Sequence, residues 1–295
     1  MASTLSTRTI DGRTVRFLEL GDASASRVLV LIHAFPMGAG MWEPQRGAFP
    51  GWRVIAPALP GFDGSDSAAL APRSRPGTST PGPLRGTRPT YEIDAYADYV
   101  VALLDDFGIE RPVIGGLSMG GYVIFGLLRR AAERASALIL ADTRPTGDSG
   151  DRLAARYRTL DIVATKGAPG VADDMLPKLV SAQTHSQKPA VVAELRRLIE
   201  AQPAAAISDA MHAIMTRPES TDELSGVRVP TLIVVGEEDP ITTVADAEVM
   251  QRAIAGSTVA RIPGAGHMSN MENPPAFNAA VREFLGRVGG VGRVG

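Results

Sequence analysis

The sequence predicts an α/β fold: a mostly parallel central sheet flanked by helices, with a helical insertion. Three observations carry this. Short β-branched, apolar segments recur along the chain, several of them apolar at nearly every position, which suits central strands covered on both faces. Segments with apolar residues three and four apart lie between them. One stretch, about 146–226, is helical in pattern and has no convincing strand.

The strands are expected at Thr14–Leu20, Arg27–Ile32, Arg53–Ala58, Pro112–Gly115, Ala137–Ala141, Thr231–Val235 and Thr258–Ile262. A helix is predicted over Tyr91–Phe107, where Ile93, Tyr96, Val100, Leu103, Leu104 and Phe107 share one face, Thr90 is the N-cap and Gly108 the C′ residue. Another follows Ser118, and two more cover about Val244–Ala255 and Pro275–Val288. Within 146–226 the helical patterns include Arg152–Thr165, Val171–Ser181 and Ala190–Glu200. Residues 67–89 are dense in Pro, Gly, Ser and Thr and read as a long, mobile surface loop. The expected organisation is a core in two parts, 1–145 and 227–288, interrupted by the insertion 146–226 and followed by a disordered tail, 289–295.

Composition narrows the function classes. The 295 residues and 44% hydrophobic content allow a sizeable core. A formal net charge of -2 gives no electrostatic reason to expect nucleic acid. The absence of cysteine excludes disulfides, a thiol nucleophile and cysteine-ligated metal. The first residues contain no apolar signal core, and runs such as VLVLI at 28–32 are far too short to span a membrane, so a cytoplasmic protein with no membrane partner is expected, as a monomer or small homo-oligomer.

Gly116-Leu117-Ser118-Met119-Gly120 is a GxSxG pattern between a predicted strand and a predicted helix. A strand that turns directly into a helix strains its corner residue, and the residues two before and two after it must be small. Ser118 Oγ would project above the sheet edge, with the Met119 N–H at the helix N-terminus beside it. A serine needs a base. Of four histidines, His267 sits in a glycine-rich loop after the last predicted strand, whereas His185 and His212 fall in the insertion and are expected at the surface or on a lid. Asp239, directly after the strand Thr231–Val235, is the expected partner of His267, and Asp142, after Ala141, is the alternative acid. The segment His33-Ala34-Phe35-Pro36 also follows a strand, and its Phe35 N–H is the expected second oxyanion donor. His33 itself is expected to hold its loop and border the pocket.

The runs HAFP at 33–36, PGFDGSD at 60–66, GLSMGG at 116–121, ADTRP at 141–145, GEEDP at 236–240 and GAGHMSNMENP at 264–274 together resemble the α/β-hydrolase superfamily, over about Thr14 to Val288. The likeness is to small bacterial serine esterases and lactonases of the 3-oxoadipate enol-lactonase-like group. The order Ser118, Asp239, His267 is the one that this family uses. The resemblance implies a serine nucleophile, a helical cap matching 146–226, and no metal or organic cofactor. Ala58 stands where the family commonly has Asp, and Asp63 where it has Gly; both changes bear on the pocket.

Met37, Trp42, Met119, Met268 and Met271 cluster in the site loops, and Met175, Leu176, Leu179, Met211 and Met215 in the insertion; an adaptable apolar pocket is expected from them. Arg144 is expected at the surface, with a substrate carboxylate as the alternative. The functional expectation is hydrolysis of small carboxylic esters, then of lactones (enol-lactones or acyl-homoserine lactones), then cofactor-free perhydrolysis; a non-catalytic ligand-binding protein is the alternative from another class.

Overall fold

The computed structural model describes residues 4–67 and 92–288. Eight strands form one sheet in the order β1-β2-β4-β3-β5-β6-β7-β8. The strands are β1 Ser6–Ile10, β2 Arg13–Glu19, β3 Val28–Ile32, β4 Arg53–Pro57, β5 Val113–Leu117, β6 Ala137–Ala141, β7 Thr231–Gly236 and β8 Thr258–Ile262. Pairing is antiparallel for β1–β2 and β2–β4 and parallel from β4 to β8. Strands β3, β5, β6 and β7 are buried at every residue, as their unbroken apolar runs require. The edge strand β1 alternates poorly and is largely exposed. It was not among the expected strands. The signal was local: Asp11 and Gly12 both take positive φ, 49° and 76°, and close a two-residue hairpin in which Ile10 faces Arg13.

The helices are α1 Ile93–Asp106, α2 Met119–Ala131, α3 Gly150–Leu179, α4 Ala182–Gln187, α5 Pro189–Glu200, α6 Ala204–Met215, α7 Val244–Ala253, α8 Ser269–Glu272 and α9 Pro274–Val288. Helix α1 starts at Ile93, after an extended Glu92; the expected N-cap Thr90 and start Tyr91 lie outside the described residues. Its end is as expected. Gly108 has φ 67°, and the N–H groups of Gly108 and Ile109 bond to the carbonyls of Asp105 and Leu104. Of the Pro/Gly-rich stretch 67–89 only Ser67 is described, and the tail 289–295 also lies outside the described residues.

Helices α3 to α6 lie between β6 and β7, with α3 packed on α5 and α6. Helix α3 bends at Gly167, whose φ of 63° and ψ of -161° are not helical, and Pro169 follows. The two helical patterns expected at 152–165 and 171–181 are its two arms. Among the described residues no helix is long and apolar enough to cross a membrane.

The two connections between this insertion and the sheet run side by side. Ser220 N–H bonds to Pro145 O at 3.0 Å, Gly147 N–H to Glu219 Oε2 at 2.8 Å, and Arg217 Nη2 to Thr146 O at 2.8 Å. Asp148 is the centre of this junction. Its carboxylate is fully buried and accepts from Arg144 (2.6 Å), Arg217 (3.0 Å) and Arg156 (3.2 Å). Arg144, expected at the surface, is 1% exposed, because its guanidinium is drawn in to Asp148. Arg217 also lies over the Tyr122 ring of α2, 4.3 Å from its centre.

Burial alone would raise the pKa of Asp148, but the arginines outweigh it and hold the carboxyl below its usual value. Its contribution to stability is therefore complete above the unfolded carboxyl's ~3.9 and is lost as pH falls through the lower folded value. Replacing the carboxylate leaves two buried guanidiniums uncompensated. Asp148→Ala is expected to lower unfolding free energy by roughly 3–5 kcal/mol in urea titrations at pH 7. The difference from the parent should shrink as both are titrated below pH ~4.

Candidate active site

Strand β5 ends at Leu117 and α2 begins at Met119, so Ser118 alone makes the corner. It has φ 55° and ψ -110°, a conformation that costs on the order of 1–3 kcal/mol and persists only where the surroundings impose it. They do so through backbone contact. A β-carbon on Gly116 would lie 2.4 Å from the carbonyl carbon and oxygen of Gly120, and one on Gly120 would lie 2.3 Å from Ile32 O. The next glycine is equally constrained, since a β-carbon on Gly121 would meet Thr143 Oγ1 at 2.3 Å. The end of β6 then ties the corner down. Ser118 N–H donates to Ala141 O at 2.9 Å, and Thr143 Oγ1 donates to Ser118 O at 2.8 Å.

His267 follows β8 in a loop whose course is set by close approach. A β-carbon on Gly236, at the end of β7, would lie 2.0 Å from Gly266 O. Glu272, to which no role was assigned in the sequence, clasps this loop. Its buried carboxylate accepts N–H bonds from Gly266 (2.9 Å) and Met268 (3.2 Å), on either side of His267, and from Ser181 (2.8 Å) in the insertion. The signal was its place in α8, five residues after His267, but a Glu in a polar run reads equally well as surface. Met268 N–H bonds to Leu179 O at 3.1 Å and joins the loop to α3.

The structure brings Ser118, His267 and Asp239 into one hydrogen-bonded series. His267 Nε2 is 2.9 Å from Ser118 Oγ, and His267 Nδ1 is 2.8 Å from Asp239 Oδ2. Asp239 is otherwise saturated by donors: Ile241 N–H at 2.7 Å and Thr242 N–H at 3.1 Å on Oδ1, and Thr242 Oγ1 at 2.6 Å on Oδ2. A carboxylate only accepts, so Nδ1 carries the proton and Nε2 presents its lone pair to the serine. Burial would depress the His267 pKa, yet the charge and hydrogen bond of Asp239 outweigh it and hold it above the ordinary imidazole value. Burial likewise works to raise Asp239, and the imidazolium with the Thr242 donors brings it below the usual carboxylate range. Such a hydroxyl can be deprotonated as it attacks an electrophilic carbon.

Asp142, the alternative acid, is not seated on the imidazole. It accepts from Gly236 N–H at 2.8 Å and from Ser269 Oγ. Its burial, reinforced by the charge of Asp239, pushes it well above the ordinary carboxylate range. Its backbone has φ 41°, so the corner after β6 is strained like that after β5.

Among the described residues the N–H groups of Phe35 and Met119 have no intramolecular acceptor. The Phe35-Pro36 peptide is cis. His33, expected to border the pocket, is buried with both ring nitrogens engaged: Nδ1 3.0 Å from Ala34 O, and Nε2 3.0 Å from Leu59 N–H. Its side chain serves the loop and has no polar atom left for a ligand, and burial keeps it neutral by lowering its pKa. Trp42 is buried against Phe277 of α9, with ring centres 6.1 Å apart. Met37, Leu179, Met211 and Met268 are buried, and Met175 is half-buried. His185 bonds to Leu176 O within the insertion, and His212 is an exposed residue of α6. Among the described residues no group of three metal-ligating side chains comes together.

The family model described as alpha/beta hydrolase fold matches residues 27–274. A curated relative, 3-oxoadipate enol-lactonase 2 of Acinetobacter baylyi, is 30% identical over 67% of this chain and 72% of its own. A thermophilic esterase from Thermogutta terrifontis, solved with malate bound, is 31% identical and superposes with a TM-score of 0.83 over 97% of this chain and 99% of that one. The enol-lactonase from Burkholderia xenovorans LB400 is 25% identical, with a TM-score of 0.81 over 95% and 100% of the two chains. With its sheet order, its strained serine corner and a family match across most of its length, the chain belongs to the alpha/beta hydrolase fold family.

Proposed function

We propose that this protein is a carboxylic ester hydrolase that cleaves small esters through a Ser118–His267–Asp239 triad and an acyl-enzyme. The observation that carries the reading is the 2.9 Å contact of His267 Nε2 with Ser118 Oγ, backed by Asp239 at 2.8 Å on the other nitrogen. His267 takes the hydroxyl proton as Ser118 Oγ bonds to the ester carbonyl carbon. The carbonyl oxygen gains the negative charge and is met by the N–H groups of Phe35 and Met119. Collapse of this adduct breaks the bond to the alcohol oxygen, which leaves with the proton held by His267. Water then gives His267 a proton as it attacks the acyl-enzyme, and the carboxylic acid and free Ser118 result.

A lactone meets the same groups in the same order, except that the leaving oxygen stays tethered to the acyl part. The relatives named enol-lactonases favour keeping this second reading. The apolar residues of the insertion, Met175, Leu179 and Met211, are the proposed walls for the acyl chain, and residues 146–226 the proposed cap.

The test is hydrolysis of p-nitrophenyl acetate, butyrate and octanoate beside γ- and δ-lactones. The parent should turn over at least one class, and Ser118→Ala should lower its kcat by about 10⁴-fold or more. Equal turnover by both, or none by the parent, overturns the reading.

The pH profile provides a separate check. Activity requires neutral His267, so kcat/KM should rise with pH through one ionisation whose midpoint lies above the ordinary ~6.5. Asp239→Asn should shift that midpoint down and cost about 10³–10⁴-fold in kcat, because an amide no longer enforces the tautomer or balances the imidazolium.

A further inference from the structure

Asp63 has a φ of 51°, a left-handed backbone disfavoured for any residue with a β-carbon. Its hydrogen bonds account for its being held there. Oδ2 accepts the N–H of Ala39 at 2.7 Å, at the start of the 3₁₀ turn Ala39–Gln45. The fit is close: a β-carbon on Gly38 would lie 1.9 Å from that oxygen. On the other side Oδ1 accepts from Gln202 Nε2 at 2.8 Å, and the Asp63 N–H donates to Gln202 Oε1 at 3.0 Å. Gln202 lies between α5 and α6, is 3% exposed, and also donates to Leu198 O at 3.2 Å. One residue thus bonds to the loop after β3 and, reciprocally, to the helical insertion.

The loop after β3 is anchored at both ends to the turn at 58–63. At one end His33 accepts from Leu59 N–H and packs edge-on against Phe62, with ring centres 4.9 Å apart. At the other, Ala39 is held by Asp63. The Phe35 N–H lies between the two anchors. The turn itself bonds across the interface to Gln202.

We propose that Asp63 is a positioning residue for the loop carrying the Phe35 N–H, and that its reciprocal pairing with Gln202 makes the geometry of that loop depend on the seated helical insertion. This rests on the reading of Ser118 as nucleophile and Phe35 as oxyanion donor. A displaced donor matters most where the oxyanion is fully developed, so the loss falls on kcat rather than KM.

The experiment compares the parent with Asp63→Gly, Gln202→Met, Asp63→Asn, Gln202→Glu and the double variant Asp63→Asn/Gln202→Glu. It measures kcat and KM for p-nitrophenyl acetate, the rate of covalent labelling by a fluorophosphonate, and Tm. Glycine tolerates the positive φ and removes the carboxylate's bonds to Ala39 and Gln202 while keeping the residue 63 N–H bond to Gln202; methionine keeps the volume of Gln202 and removes both of its bonds to Asp63. The double variant reverses the donor and acceptor: the new amide donates to the new carboxylate, while Ala39 and the residue 63 N–H keep their acceptors, and the lost bond to Leu198 O is common to it and to Gln202→Glu.

The single variants should lose about 10- to 100-fold in kcat and in labelling rate, with KM changed less than about threefold. The double variant should lose much less than the product of the losses of Asp63→Asn and Gln202→Glu. A role confined to stability would lower Tm and leave kcat of the folded enzyme intact. Single variants that keep kcat overturn the proposal, as does a double variant that loses the product of the two single losses. If Asp63→Gly does not fold, Gln202→Met decides alone. A parent that neither turns over esters nor takes the label overturns the nucleophile reading, and this proposal with it; a parent that does both, beside unchanged variants, overturns this proposal only.

Discussion

Helix α2 meets the sheet backbone to backbone at its first turn, with Gly120 against the carbonyl of Ile32 and Gly116 against Gly120 itself. The rest of the site depends on this approach. Because no side chain separates helix from strand, the chain has no room for a loop between β5 and α2, and one residue must absorb the whole change of direction. That residue is Ser118, and its φ of 55° follows. The strain it stores is matched by bonds from neighbouring strand ends, Ala141 and Thr143 of the β6 side. The hydroxyl is therefore held by main-chain geometry before any partner is considered. His267 and Asp239 reach it because β5, β6, β7 and β8 are parallel neighbours in the sheet, so their C-terminal ends present loops to one common edge.

Carboxylates, buried or half-buried, do the rest of the fastening, and each works by accepting donors from segments far apart in sequence. Glu272 joins the His267 loop to the insertion at Ser181. Asp63 joins the loop after β3 to Gln202. Asp148 gathers arginines from both connections of the insertion. The insertion is thereby pinned at three separate places. An acceptor-only group suits this task, since loops crossing at a sheet edge leave backbone N–H groups without partners, and burying those unpaired would cost about 1–3 kcal/mol each.

What could be read from the sequence follows from the range of the interaction involved. The strands were legible because burial on both faces writes itself into unbroken apolar runs, as in VLVLI and TLIVV. The serine corner was legible because steric exclusion acts within five residues. Asp239 and His267 could be assigned from their positions after successive strands. The anchoring carboxylates could not. Asp63, Asp148 and Glu272 each sit in polar surroundings, and nothing local distinguishes a solvated carboxylate from one whose donors arrive from 91 or 139 positions away. Arg144 was misjudged for the same reason, because it is drawn in to Asp148, whose own burial depends on Arg217 arriving from the far end of the insertion. His33 was placed in the right loop, but its task, bonding Leu59 in the turn after β4, is again a tertiary fact.

Two carboxyl groups flank His267, and their environments push them apart. Asp239 is surrounded by N–H and O–H donors and stays charged; Asp142 has two donors, deeper burial and the charge of Asp239 against it, and is driven towards its neutral form. Asp142 bonds to Gly236 and Ser269, the residues that frame the loops of Asp239 and His267. The two carboxyls thus have separate contacts. Asp239 bonds to the imidazole itself, and Asp142 fastens the strand end and the loop on either side of it.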